Sequence, residues 1–215
     1  MKLVFVNPER CIGCLQCEFA CAVEHSTSKS GTSAWREEPT PRTRVHVDPG
    51  PVMGTSFPSR CRHCDPAPCQ QVCPTSSITR DVEQNLVLVN PQTCINCAMC
   101  AMVCPFDALT FHPMAVGTGT RTVAVKCDGC VERVRRGETP ACVEACKVGA
   151  LVFGELNDMV AQGRLQHSGS VLAAVTAAQA GDEALADGPV ATWRAWGVAA
   201  SRVESAATTV EGGSR

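Results

Sequence analysis

The sequence predicts an α+β chain made of two small units, one nested inside the other, followed by a helical extension. Three observations carry this. All sixteen cysteines of the 215 residues fall in four groups that end at Cys146. The stretch after residue 158 has no cysteine and is rich in alanine. Aromatic residues are only 4% of the chain and tyrosine is absent, so part of the interior is filled by something other than side chains, and inorganic clusters fit.

Taken in order, the groups are Cys11, Cys14, Cys17 and Cys21 (C-x2-C-x2-C-x3-C), Cys61, Cys64, Cys69 and Cys73 (C-x2-C-x4-C-x3-C-P), Cys94, Cys97, Cys100 and Cys104 (C-x2-C-x2-C-x3-C-P), and Cys127, Cys130, Cys142 and Cys146 (C-x2-C-x11-C-x3-C). Cysteines at three-residue spacing wrap a tight loop that brings three sulfurs to one face of a cubane, with the intervening N–H groups pointing at it. A fourth cysteine one helical turn later faces elsewhere. This run is the bacterial signature for 4Fe–4S ligation, in which the fourth cysteine serves the other cluster of a pair.

The middle groups both end in Cys-Pro, at Cys73-Pro74 and Cys104-Pro105, where proline stops the short helix carrying the last ligand. The LVLV of ITRDVEQNLVLVN between them reads as a strand. They therefore form a compact two-cluster ferredoxin unit, the inner one, over about residues 57–112. The first and last groups pair across it as an outer unit from residues 1–56 and 113–158, which completes a four-cluster domain over 1–158. Crossing the fourth ligands assigns Cys11, Cys14, Cys17 and Cys146 to cluster 1, and Cys94, Cys97, Cys100 and Cys73 to cluster 2. Cluster 3 takes Cys61, Cys64, Cys69 and Cys104, and cluster 4 takes Cys127, Cys130, Cys142 and Cys21.

Zinc is the rival reading, since C-x2-C pairs bind it in sites of four thiolates. Zinc ribbons have no use for C-x2-C-x2-C-x3-C, and only the fourth group has spacing that suits zinc alone. A disulfide framework belongs to an oxidising compartment. MKLVFVNPER is neither a signal peptide nor a twin-arginine leader, and no window approaches a membrane span. A cytoplasmic protein with reduced thiols is therefore expected. The formal net charge of −2 excludes a strong basic footprint for nucleic acid. Four oxidised cubanes at about −2 each, thiolates included, would make the holo chain roughly 8 units more negative, a charge to be shielded by N–H groups and nearby cations.

Between the first two groups, STSKSGTS and EEPTPRTR read as loop and RVHVD as strand. Trp35 is either part of a solvated insertion or a docking residue. His25, His46, His63 and His112 are read as structural, because the cysteines already saturate four clusters, and His63 inside CRHC is expected to hydrogen-bond or shield one. Arg60 and Lys126 each precede the first cysteine of a group, so they are either potential-raising cations or solvated surface charges. GTGT at 117–120 merely precedes the strand RTVAVK. There is no G-x-S-x-G, P-loop or G-x-G-x-x-G, and a cluster with four cysteines has no open position for substrate.

In the tail, 159–215, Leu172, Val175 and Gln179 have helical spacing. After GDEALADGP, Pro189 suits the first turn of a last helix, on which Trp193, Trp196, Ala200 and Val203 share one face. That face either packs on its own chain or docks on another subunit or a second copy.

The stretches CIGCLQCEFACAVEH, CRHCDPAPCQQVCPTSSI, CINCAMCAMVCPFDAL and KCDGCVERVRRGETPACVEACKVGALVFGEL closely resemble the four-cluster iron–sulfur electron-transfer subunits of redox complexes. Such subunits partner molybdenum or tungsten bis-pterin oxidoreductases, and also carbon monoxide dehydrogenase and hydrogenase assemblies. The resemblance implies two fused ferredoxin-like units holding four 4Fe–4S clusters. It also implies a non-catalytic role, relaying single electrons between a catalytic partner and a further donor or acceptor, with no nucleic acid and no membrane span. Among partners it points first to a tungsten aldehyde oxidoreductase, with carbon monoxide dehydrogenase, hydrogenase or formate dehydrogenase as alternatives. The chain departs from the family where Ala22 follows Cys21 and Lys147 follows Cys146, positions often occupied by proline.

Overall fold

The structure, a computed structural model, describes residues 2–50 and 54–179. In chain order these form β1 (Lys2–Val6), α1 (Gln16–Glu24), β2 (Val45–Pro49), β3 (Ser56–Arg60), α2 (Pro68–Gln71), β4 (Ile78–Asp81), β5 (Leu86–Val89), α3 (Met99–Met102), β6 (Thr110–Val116), β7 (Gly119–Val125), α4 (Val131–Arg135), α5 (Ala141–Glu144), β8 (Leu151–Glu155) and α6 (Leu156–Gln179). The strands pair antiparallel as β1 with β8, β2 with β3, β4 with β5 and β6 with β7. A lone two-stranded ribbon is marginal in water. What steadies these ribbons must lie on the faces they turn to one another.

Three of the four ribbons join neighbouring segments, and local sequence explains them. VEQN supplies the turn between β4 and β5, with Asn85 left-handed at φ 54°. Gly117 at φ 61° begins the tight turn from Val116 to Gly119, so GTGT is part of a hairpin. The fourth ribbon is different in kind: Val4 lies opposite Phe153 and Val6 opposite Leu151, so the first strand is paired with one nearly 150 residues later.

Two apolar clusters sit under the ribbons. The first centres on Ile78, Val87 and Val123 with Cys94 and Cys100, and Cys69, Cys73 and Cys104 pack against it. It draws on β7, past the inner limit expected near residue 112. The second holds Cys17, Cys21, Val45, Cys142 and Leu151, with Val4, Val6 and Cys146 against it. Cysteine is therefore a structural part of both cores.

The helices that end the middle groups correct one expectation. α2 and α3 end at Gln71 and Met102, so Cys73 and Cys104 lie beyond them and not on them. Proline excludes helical geometry at the residue before it, and its ring would meet the carbonyl four residues back. With Ala22 in place of proline, α1 runs on through Cys21 to Glu24.

The first compact unit ends at Leu156, and a second begins at Asn157. α6 contains Leu172 and extends to Gln179, and no helix among the described residues is long and apolar enough to cross a membrane. The expected last helix, with Trp193 and Trp196, lies outside the described residues.

Candidate metal centres

Each cysteine loop is bent by residues in the left-handed region. Gly13 and Leu15 lie in the first group, His63 in the second, Asn96 and Ala98 in the third, and Gly129 and Cys130 in the fourth, at φ between 50° and 68°. Turns of this kind point successive N–H groups into one hollow and make an anion-binding nest. For non-glycine residues the conformation is strained, and such strain concentrates at functional sites. The hydrogen bonds follow suit: His63 N donates to Cys61 Sγ at 3.4 Å and Gly129 N to Cys127 Sγ at 3.4 Å, within the loops. From outside the loops, Arg44 N donates to Cys21 Sγ at 3.2 Å, Ala108 N to Cys104 Sγ at 3.5 Å, Ala124 N to Cys94 Sγ at 3.5 Å and Leu151 N to Cys146 Sγ at 3.4 Å.

The sulfurs converge across groups. Cys61, Cys64, Cys69 and Cys104 line one cavity, which Phe106 also lines. Cys73, Cys94, Cys97 and Cys100 line another. Cys21 lies within electrostatic reach of Cys127, Cys130 and Cys142, and Cys146 within reach of Cys17. Cys11 closes the short 3-10 turn before the first loop, and Cys14 lies on that loop, exposed. All sixteen are free thiols, and only Cys14 and Cys97 are exposed.

Donor chemistry matches a cationic metal core. Burial first, and neighbouring thiols after it, push Cys142 up strongly. Burial likewise takes Cys130 to about 12, Cys17 to about 11 and Cys100 to about 11. Thiols packed this way are poor thiolates on their own and good ones around metal. Two fourth-position cysteines run the other way. Hydrogen bonds from Ser77 and Thr75 overcome burial to bring Cys73 down to about 7, and contact with His25 overcomes it at Cys21.

For two polar groups the structure removes one of the two sequence readings. Arg60 and Lys126 are not solvated: they are 5% and 4% exposed. Arg60 lies within electrostatic reach of Cys127 and Cys142, and Lys126 within reach of Cys69. His63 is equally buried; its Nδ1 accepts from Val87 N at 3.0 Å, and burial with Lys126 and Arg60 nearby takes it down to about 3, so it is neutral. His25 lies in an ion network that the sequence did not reveal. Its Nδ1 lies 2.7 Å from Cys21 O and its Nε2 3.1 Å from Asp128 Oδ2, while Arg44 Nη1 lies 2.6 Å from the same oxygen. Burial opposes charge on His25, but Asp128 and Cys21 outweigh it and hold the imidazole up at about 9. The only available signal was the position of Asp128 between Cys127 and Cys130. His46 lies on β2 and His112 on β6, and Trp35 is 65% exposed with the Arg36 guanidinium 4.9 Å from its ring.

Four-thiolate sites with N–H nests suit zinc knuckles as well as cubanes. Comparison with known proteins separates the two: residues 52–156 match the 4Fe–4S dicluster domain, and an iron–sulfur protein of Rhodospirillum rubrum is 40% identical over 161 residues, covering 72% of this chain and 83% of that protein. The chain belongs to the 4Fe–4S dicluster family of iron–sulfur proteins. Other relatives include the electron transport protein HydN of Escherichia coli K12, 33% identical over 167 residues that cover 74% of this chain and 90% of HydN. A tetrathionate reductase subunit of Salmonella typhimurium is 34% identical over 155 residues, 72% of this chain but only 58% of that protein's length. For a member of this family, N–H groups aimed at cysteine sulfur and buried cations beside them are the charge-shielding that an anionic cluster requires.

Proposed function

We propose that the chain is a non-catalytic electron-transfer subunit holding four 4Fe–4S clusters in two fused ferredoxin-like units. Ligation is crossed: Cys11, Cys14, Cys17 and Cys146; Cys73, Cys94, Cys97 and Cys100; Cys61, Cys64, Cys69 and Cys104; Cys21, Cys127, Cys130 and Cys142. The observation that carries this reading is the lining of one cavity by Cys61, Cys64, Cys69 and Cys104, with Cys73 displaced to the cavity of Cys94, Cys97 and Cys100. Such clusters supply one-electron oxidation and reduction with no bond made to substrate.

The protein's own residues position and insulate. Cys17, Cys21, Cys142 and Cys146 share one core, which sets the first and fourth sites side by side. Cys69 lies within electrostatic reach of Cys100, which does the same for the second and third. Val87, between His63 and Lys126, joins the third to the fourth. The order is then first, fourth, third, second. At its ends stand the two exposed cysteines, Cys14 and Cys97, with exposed apolar residues beside them in the chain: Ile12, Leu15 and Phe19 at one end, and Ile95, Met99 and Met102 at the other. Exposed apolar groups beside an accessible ligand suit docking of a redox partner.

In this reading one partner is a catalytic subunit and the other an electron donor or acceptor. A tungsten or molybdenum pterin oxidoreductase, aldehyde oxidoreductase first, is the proposed catalytic partner. That curated relatives are called an electron transport protein and a reductase subunit supports such a complex. A reducing, cytoplasmic setting belongs to the same proposal and is supported by sixteen unpaired thiols. Iron and acid-labile sulfide in the purified holo chain test it, each expected at roughly sixteen per chain. A colourless, zinc-bearing chain without sulfide would overturn it, and co-purification identifies the partner.

A further inference from the structure

β5 is wedged between the loops of the second and fourth cysteine groups. Val87 at its centre is fully buried, and its peptide is gripped from both sides. Val87 N donates to His63 Nδ1 at 3.0 Å, and Val87 O accepts from Lys126 Nζ, which also donates to Cys127 O at 3.1 Å. Gly129 of the fourth group closes the wedge: a Cβ there would stand 2.8 Å from Leu86 Cδ2. Arg60 reaches in from β3 and donates to Val4 O at 3.1 Å.

Two cations are thus buried in the junction, and carbonyl oxygens, not carboxylates, take the hydrogen bonds they make among the described residues. Asp128, the nearby acid, is engaged by His25 and Arg44. Burying a cation without an anion is costly, because little solvation replaces the lost water. Arg60 Nε and His63 Nε2 are also buried without a hydrogen-bond partner. Because His63 Nδ1 accepts a backbone N–H, its proton sits on Nε2. Two unpartnered donors and two unpaired cations at one place call for anionic acceptors on both sides, and the flanking four-thiol sites are where such charge resides.

We propose that Arg60 and Lys126, with His63 between them, are positioning residues for electron transfer, fixed donors that raise the reduction potentials of the third and fourth clusters above those of the first and second. The proposal rests on the four-cluster reading above. One electron enters and one leaves at each site, with no bond made or broken and no proton moved, so the energy of the reduced state is set by nearby charge. In a dry junction a cation stabilises the added electron more strongly than a solvated one does. The middle of the order thereby becomes the place where electrons rest.

The experiment is an EPR-monitored redox titration of the full-length holo chain, with dithionite as reductant, on wild type and on Lys126→Gln, Arg60→Gln and Lys126→Arg. Wild type is expected to show two higher and two lower midpoints. Each Gln variant is expected to keep its iron and sulfide while lowering one or both of the higher pair, leaving the lower pair in place, and Lys126→Arg to restore the wild-type value. Unchanged potentials in iron-replete Gln variants would overturn the proposal. So would four indistinguishable midpoints in wild type, a test that stands even if a Gln variant fails to fold. A wild-type chain without roughly four irons per site would instead overturn the cluster reading itself.

Discussion

Cys21 shows how much a single position decides. Ala22 lets α1 continue past it, and it ends buried against the fourth group, accepting from Arg44 N and contacted by His25. Cys21→Ser is therefore expected to weaken the cluster of Cys127, Cys130 and Cys142 while leaving that of Cys11, Cys14 and Cys17 intact, read as loss of one EPR component. A structure with Cys21 and Cys11 on the same iron cube would refute the crossing. Gly129 is constrained twice, by φ of 68° and by Leu86 above it. Gly129→Ala should destabilise the holo chain by roughly 1–3 kcal/mol, seen as a lower midpoint of thermal bleaching. Glu24 is partly buried; burial opposes its charge, but Lys29 and Arg133 outweigh it and hold the carboxyl below its usual range. A depressed folded pKa stabilises above the unfolded value and loses that contribution as pH falls through the folded one. Glu24→Gln should accordingly cost roughly 1–3 kcal/mol at neutral pH and converge with wild type in acid, followed by denaturation from neutral pH down to below the usual carboxylate range.

Elements in this chain are too short to stand by themselves. α2, α3 and α5 have four residues each, and β4 and β5 also have four. Such helices lie far below the length at which propensity sustains them. Their common support is the cysteines packed into both cores, so ligation and folding are expected to be one process. Removing iron with a chelator under reducing conditions should abolish amide-exchange protection at Val87 and Val123, in β5 and β7, along with the visible absorption. Retained protection after complete iron loss would show that the ribbons hold without metal. LVLV and RTVAVK were readable as strands because alternating β-branched residues bounded by turn formers have few other uses. The extent of the helices beside Cys73 and Cys104 was not, since the reach of proline's exclusion depends on the preceding backbone.

For the molecule as a whole, the pairing of β1 with β8 brings the start of the chain to the end of its first compact unit. Residues 186–215 carry two of the three tryptophans, Trp193 and Trp196. Burying such rings contributes on the order of 2 kcal/mol each, enough for a tail to hold a partner. Deleting 186–215 should leave the iron content unchanged and shrink the complex on a sizing column. Loss of clusters at unchanged size would mean that the tail serves its own domain.

The four cysteine groups were legible in spacing alone, and the bacterial 4Fe–4S signature supplied the grounds for crossing their fourth members. A C-x2-C-x2-C loop has few ways to point three sulfurs at one place, and a fourth cysteine one turn later faces away from them. The strands and the Cys-Pro stops were legible for the same reason, since each is a local steric rule. Burial of Arg60 and Lys126, the charge network of His25, Arg44 and Asp128, and the exposure of Cys14 and Cys97 were not. Each depends on which distant segment lies alongside: β5 over Lys126, Val4 beside Arg60, Asp128 against a helix some hundred residues earlier in the chain. A charged residue beside a cysteine reads the same in sequence whether water or a hydrophobic wedge surrounds it. Only the tertiary structure chooses, because solvation is a property of everything packed around a group and not of its neighbours in the chain.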